Sequence, residues 1–336
     1  MKNNSYRISN LFISAALALI VLTSGCKKTS NPIKYKLGTF PDSVYNLDGL
    51  NSAFDDYNSD LYVLGTEMPI IFSSKRGSSG VQFDLINGTV TYHFDQTNGN
   101  FTVTGNVATD PFYSAIATKA NTSGDDLGPY TLFNNTDGYE YLFLASQVSG
   151  GQTDIYYEKY VPRNGSNVPV ISGPNPVTVL NSSSNEAYIT FDSNQDSAYF
   201  CSDRAGNYDI YLQARPDTIP FSTWLGQSYQ TAYLVDSLNS SKNDKFPFIY
   251  KNIMIFASDR DGGMGGYDLY YSIFRKGKWS SPVNFGPKIN TAADECRPVI
   301  GYSQDFTNKF IIFSSNRSGG KGGFDLYFTG YSFPTE

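Results

Sequence analysis

The chain has 336 residues, enough for one large domain or two small ones with a substantial core. A net charge of −6 excludes a sequence-independent grip on nucleic-acid phosphates, and a single histidine excludes ordinary zinc sites. Aromatic residues reach 15%, almost all Tyr and Phe, and with abundant Gly, Asn and Ser they describe strands joined by polar turns.

In chain order, Lys2 and Arg7 precede an apolar run from Leu11 to Leu22, shaped like an export signal and too short for an ordinary membrane span. The run ends in Leu22-Thr-Ser-Gly-Cys26, which resembles the lipobox of bacterial lipoproteins, with Thr23 where leucine is usual. The resemblance implies that residues 1–25 are a signal peptide, that Cys26 is the lipidated first residue, and that 26–33 form a tether. It also implies an outer-membrane lipoprotein of the cell envelope, held to the membrane through this lipid. Lys27 to Pro32 lack the acidic run that resembles the surface-export signal of Bacteroidetes lipoproteins, which favours the periplasm-facing side. Cys201 and Cys296 are too few for a disulfide framework and are expected as buried free thiols.

Residues 34–336 repeat one unit five times. The clearest copy is Phe310-Ile-Ile-Phe-Ser-Ser-Asn-Arg-Ser-Gly-Gly-Lys-Gly-Gly-Phe-Asp-Leu-Tyr327, an apolar strand, a glycine-rich turn and a second strand. Ile253–Tyr270 is nearly identical, Ala198–Tyr211 is shorter, and the copies around Ile70 and Tyr141 are degraded. The Asp that opens the second of these strands recurs at Asp84, Asp154, Asp209, Asp268 and Asp325. A second marker precedes each copy: Asn51-Ser with Asp55-Asp56, Asn121-Thr with Asp125-Asp126, Asn181-Ser with Asn185-Glu186, Asn239-Ser with Asn243-Asp244, and Asn290-Thr with Asp294-Glu295.

Each unit holds four strand-like segments; in the fourth they are Lys245–Tyr250, Ile253–Ala257, Tyr267–Phe274 and Lys278–Val283. A repeated four-stranded antiparallel sheet with continuously apolar second strands predicts an all-β, five-bladed β-propeller forming a single domain. The last unit has no room for a fourth strand, so the N-terminal strand Lys34-Tyr-Lys-Leu-Gly38 is expected to close the ring. The first unit carries an insertion between Asn87 and Lys119, and no helix of useful length is expected.

Phe313-Ser-Ser-Asn-Arg317 with Gly322-Gly-Phe-Asp-Leu-Tyr327, and the counterparts at Phe256–Tyr270 and Phe200–Tyr211, resemble the TolB-like, WD-repeat-like propeller units of bacterial envelope proteins. The second unit departs from the pattern, because Ser146-Gln-Val lacks the arginine. The resemblance implies a protein-interaction or scaffolding module.

His93 lies in the alternation Val90-Thr-Tyr-His-Phe94 with no nucleophile motif nearby and reads as a solvated strand residue. The acidic pairs recur in every unit, which favours a structural job such as pairing with Arg76, Arg204, Arg260 and Arg317. Asp84, Asp154, Asp209, Asp268 and Asp325 read as turn carboxylates. Asp125 and Asp126 lack an arginine partner, so with the four arginines they form the candidate ligand rim. Asp259-Arg-Asp-Gly-Gly lacks the ligand spacing of a calcium loop, and no metal or cofactor is expected. The expectation is a monomeric, non-enzymatic binding or scaffolding module with no catalytic residue, whose partner is an envelope protein or a glycan. The alternative is a five-bladed glycoside hydrolase, which would show unrepeated carboxylates beside an aromatic sugar platform at the channel mouth.

Overall fold

In the computed structural model five antiparallel sheets stand around one axis, and four of them keep their strands in sequence order from the inside outwards. The structure describes residues 32–62, 65–107, 110–148 and 151–334, so the signal segment and Cys26 lie outside the described residues. Blade 1 runs Asp56–Leu61, Glu67–Ser74, Asp84–Phe94 and Phe101–Val107. Blade 2 runs Asp126–Asn134, Tyr139–Ser146, Asp154–Tyr160 and Ile171–Pro176. Blade 3 runs Glu186–Phe191, Ser197–Ser202, Asp209–Ala214 and Tyr233–Leu234. Blade 4 runs Asp244–Tyr250, Ile253–Ser258 and Asp268–Arg275, and its outer edge is split into Lys278–Trp279 and Val283–Asn284. Pro282 falls in the break, where it removes no ladder donor.

Blade 5 (Glu295–Gly301, Lys309–Ser315, Asp325–Tyr331) takes its outer strand from the other end of the chain. The strand is Tyr45–Asn46, with Tyr45 opposite Phe328 and Asn46 opposite Tyr327. The ring is therefore closed by the N-terminal segment, but not by Lys34–Gly38. Gly38 makes one isolated parallel bridge to Phe306 at the lower rim. The outer strand of a blade must end just before the next Asn marker, as Val283–Asn284 does before Asn290, and only Tyr45–Asn46 meets that condition before Asn51. Phe40 anchors this segment: it is buried, stacked on Phe306 at 3.7 Å, and edge-on to Phe310 and Phe328.

The apolar second strands are covered on both faces, and Phe310, Ile311, Ile312 and Phe313 have no exposed surface. The core accordingly lies in the wedges between sheets rather than at one centre. The first-unit insertion contains a helix that the sequence reading missed, Pro111–Ala120. Asp110 caps it by accepting the Phe112 N–H, and Pro111 occupies the first turn, where no amide partner is needed. Phe112, Ile116 and Ala120 bury it against the third strand of blade 1 and the outer strand of blade 2.

Candidate functional site

The sequence markers build one face of the ring, where every inner strand begins. Asn51, Asn121, Asn181, Asn239 and Asn290 each clamp the preceding blade through one residue of its third strand. Their Oδ1 atoms accept the N–H of Leu326, Leu85, Ile155, Ile210 and Leu269 at 2.7–2.9 Å. Their Nδ2 atoms donate to the carbonyls of the same residues at 2.9–3.1 Å. A second stitch crosses each blade boundary. Asp55, Asp125, Asn185, Asn243 and Asp294 accept the N–H of Phe324, Phe83, Thr153, Tyr208 and Tyr267.

The next residue of each pair points the other way and is buried: Asp56, Asp126, Glu186, Asp244 and Glu295. Four of these carboxylates meet a guanidinium, Asp56 with Arg76 and Asp244 with Arg260 at 2.5 Å, Glu186 with Arg204 and Glu295 with Arg317 at 3.0 Å. Each arginine also donates through Nε to the serine two residues before it and lies near a phenylalanine ring of its own blade. Their hydrogen bonds are spent inside the blade, so these arginines are construction rather than rim.

At the candidate rim of blade 2 the same geometry sets the two aspartates apart. Asp126 is buried beneath the face, where Thr122 donates its N–H (2.7 Å) and its hydroxyl (3.0 Å), and Asp125 is engaged by the Phe83 amide. Burial without a cation pushes the Asp126 carboxyl up to about 6. The turn residues Asp268 and Asp325 each accept two backbone N–H groups of the glycine-rich loop. Asp84, Asp154 and Asp209 take side-chain amides of Gln82, Gln152 and Asn207 instead. Cys201 and Cys296 are buried free thiols, and burial raises Cys201 to about 12. His93 is exposed on the lower rim.

The axis itself is plugged. In every inner strand the third residue has a positive φ: Asn58 51°, Gly128 60°, Tyr188 58°, Phe246 62° and Arg297 44°. At each, the pairing register slips, and the bulge turns that residue toward the axis. Arg297 has no exposed surface; it donates to the Pro129 carbonyl at 2.6 Å and the Pro247 carbonyl at 3.4 Å, spanning three blades. A Cβ on Gly128 would meet the Tyr188 ring at 2.4 Å, so glycine is required there.

Above the plug lies the mouth, assembled from residues the sequence reading did not single out. The residue before each repeated turn aspartate is Phe83, Thr153, Tyr208, Tyr267 or Phe324, which gives an aromatic collar interrupted only at blade 2. Tyr57 links it to the plug, 4.8 Å from the Phe324 ring and 6.0 Å from the Phe246 ring. Lys245 rises into the collar with its ammonium 4.1 Å from the Tyr208 ring centre and 5.4 Å from that of Phe246. Among the described residues it has no hydrogen-bond or ion-pair partner, and burial lowers its pKa.

The residue before the blade arginine is the unrepeated element. It is Lys75, Gln147 and Asn316 in blades 1, 2 and 5, but Asp203 and Asp259 in blades 3 and 4. Asn185 holds Asp203 with its backbone N–H (2.9 Å) and its side-chain amide (2.6 Å), and Asn243 holds Asp259 in the same way at 2.7 and 2.9 Å. Both carboxylates act electrostatically on Lys245, and Asp203 helps burial to raise Tyr208 to about 12. Two aspartates, an ammonium and a ring of aromatic faces therefore stand together at the mouth.

No family model and no curated protein matches the sequence. Solved structures do match in fold. A thermostable family-43 glycoside hydrolase aligns over 87% of this chain and 93% of its own, with TM-score 0.56 and 12% identity. An endo-arabinase from Bacteroides thetaiotaomicron aligns over 89% and 98%, with TM-score 0.51 and 13% identity. An α-L-arabinofuranosidase from Podospora anserina, solved with cellotriose, aligns over 89% and 98%, with TM-score 0.50 and 12% identity. At these identities the likeness establishes the five-bladed fold. It also overturns the expectation drawn from TolB-like units: these neighbours are glycoside hydrolases, so neither a non-enzymatic protein-binding scaffold nor the absence of enzyme activity stands as the reading of this architecture.

Proposed function

We propose that the chain is a glycan-acting enzyme, a glycoside hydrolase whose site is the channel mouth. The observation that carries this is the pair Asp203 and Asp259, aspartates of blades 3 and 4 at a position that holds Lys, Gln or Asn in the other three, set beside the aromatic collar. Glycosidic cleavage needs two carboxyl groups flanking the bond. One gives its proton to the leaving oxygen as the C–O bond breaks. The other activates the water that attacks the anomeric carbon, or attacks that carbon itself. Collar rings supply flat apolar faces for the sugar, and the Lys245 ammonium lies among those rings, within electrostatic reach of both aspartates. The similar structures lend support for pentose-containing glycans, because their named activities act on arabinosides and xylosides. Lipidation at Cys26 and a periplasm-facing place in the outer membrane belong to the same proposal and rest on the sequence of residues 1–33 alone.

The test is sugar release from aryl arabinofuranosides, aryl xylosides, arabinan and xylan. The wild-type chain is expected to cleave at least one of them, and Asp203→Asn and Asp259→Asn each to slow cleavage at least about a hundredfold. Wild-type rates in both variants, or no cleavage of any substrate by the wild type, would refute the proposal.

A further inference from the structure

On the face opposite the mouth, where the inner strands end, blades 3 and 4 part around a cleft of about 350 Å³. One wall is the turn after Phe191, with Asp192, Ser193 and Asn194; the other holds Asn252 and the outer hairpin of blade 4, with Phe274 and Trp279. That hairpin exists because the outer edge of blade 4 is split, which no other blade repeats among the described residues. Trp279 is buried and fixed at both ends. Its Nε1 donates to the Tyr199 hydroxyl at 3.3 Å, and its ring supports Phe274 at 5.0 Å. Phe274 is left 39% exposed, an apolar ring held at the lip of a cleft of mixed lining.

Opposite this ring, one oxygen of Asp192 accepts the amides of Asp196 (3.1 Å) and Ser197 (3.2 Å), which fixes the carboxyl in the turn. Burial and the neighbouring Asp196 carboxyl raise Asp192 to about 6. The cleft thus pairs a flat ring with a pinned carboxyl, two carboxamides and a hydroxyl, groups that donate and accept in alternation as a polyol does. A wholly apolar ligand would leave them unpaired. Lys251 also lines the cleft and balances the Asp192 carboxyl, so the lining has no net charge to draw an ionic ligand.

We propose that this cleft is a second glycan site that holds one neutral sugar residue without cleaving it, with the sugar face on Phe274 and its hydroxyls on Asp192, Asn194 and Asn252. The inference rests on the glycan reading above for its ligand class. Among the described lining residues Asp192 is the one carboxyl, and cleavage needs two flanking the bond, so the site holds sugar and does not act on the glycosidic bond. A polymer gripped here is tethered to the ring while another stretch reaches the mouth on the opposite face.

The experiment measures retention of soluble arabinan and xylan by affinity electrophoresis, in the Asp203→Asn chain so that the polymer survives. Adding Phe274→Ala or Asp192→Asn is expected to weaken retention about tenfold, a loss of about 1.4 kcal/mol, with the melting temperature of the Phe274→Ala chain unchanged. Retention that Phe274→Ala leaves intact, or no retention of either polymer, overturns the second site. Hydrolysis by the wild-type chain is scored separately. Retention that depends on Phe274 without any cleavage sinks the hydrolase reading and keeps the cleft; cleavage without such retention does the reverse.

Discussion

Blade 2 offers a clean test of how this ring stores charge. Asp126 occupies the place that in the other blades is neutralised by an arginine, and it is buried against the Thr122 amide and the Thr122 and Ser146 hydroxyls. Its carboxyl rises from 3.8 to about 6. The folded value lies above the unfolded one, so folding favours the protonated acid. Stability from this group is full below about pH 4 and is lost as the pH climbs through 6. Two pKa units at 1.36 kcal/mol each set that loss at about 3 kcal/mol. Asp126→Asn keeps an acceptor for the Thr122 amide and cannot ionise. Urea unfolding of the two chains at pH 4 and pH 7.5 is expected to show the variant gaining about 2.4 kcal/mol on the wild type across that interval. Parallel stability curves would refute the assignment of a buried, unpaired carboxyl.

The other blades give the converse result. Arg260→Met leaves Asp244 buried without its cation, and a loss of about 3–5 kcal/mol is expected by denaturant titration at neutral pH, reduced when Asp244→Asn is added. A chain begun at Leu47 lacks both Phe40 and the Tyr45–Asn46 strand, which bares the edge of Asp325–Tyr331. Light scattering during a thermal ramp should show earlier melting with aggregation, and an unchanged transition would reject N-terminal closure. Cys26→Ser should release the exported protein from the membrane fraction, as fractionation with mass spectrometry of the N-terminus would show.

What could be read without coordinates was whatever repeats as a side-chain identity. The Asn clamp bonds backbone in the same way around the ring, the turn aspartate recurs in every blade and the blade arginine in four, so blade number and strand order were legible. The axial plug was not, because only its backbone repeats. Asn58, Gly128, Tyr188, Phe246 and Arg297 share a positive φ and no chemistry. The mouth was half visible. Phe83, Tyr208, Tyr267 and Phe324 stand beside a recognised marker, but their convergence depends on packing between blades. Asp125 and Asp126 were taken as one rim feature because they are adjacent, although neighbouring strand residues face opposite ways and only the first reaches toward the mouth. The helix Pro111–Ala120 did carry a readable signal, in Asp110 followed by Pro111.

The Asn clamp always reaches backwards, from each inner strand to the blade before it, and the last link joins Asn51 to Leu326. The molecule is therefore a closed loop of identical joints in which no blade is an end. A single blade cut out of the chain would forfeit the clamp on one side and the grip on the other. New termini placed just ahead of any marker, with residues 32 and 334 joined by a linker, would preserve every joint. The ring specifies an order of blades but no privileged first one, and that makes it a scaffold tolerant of circular permutation and intolerant of excision.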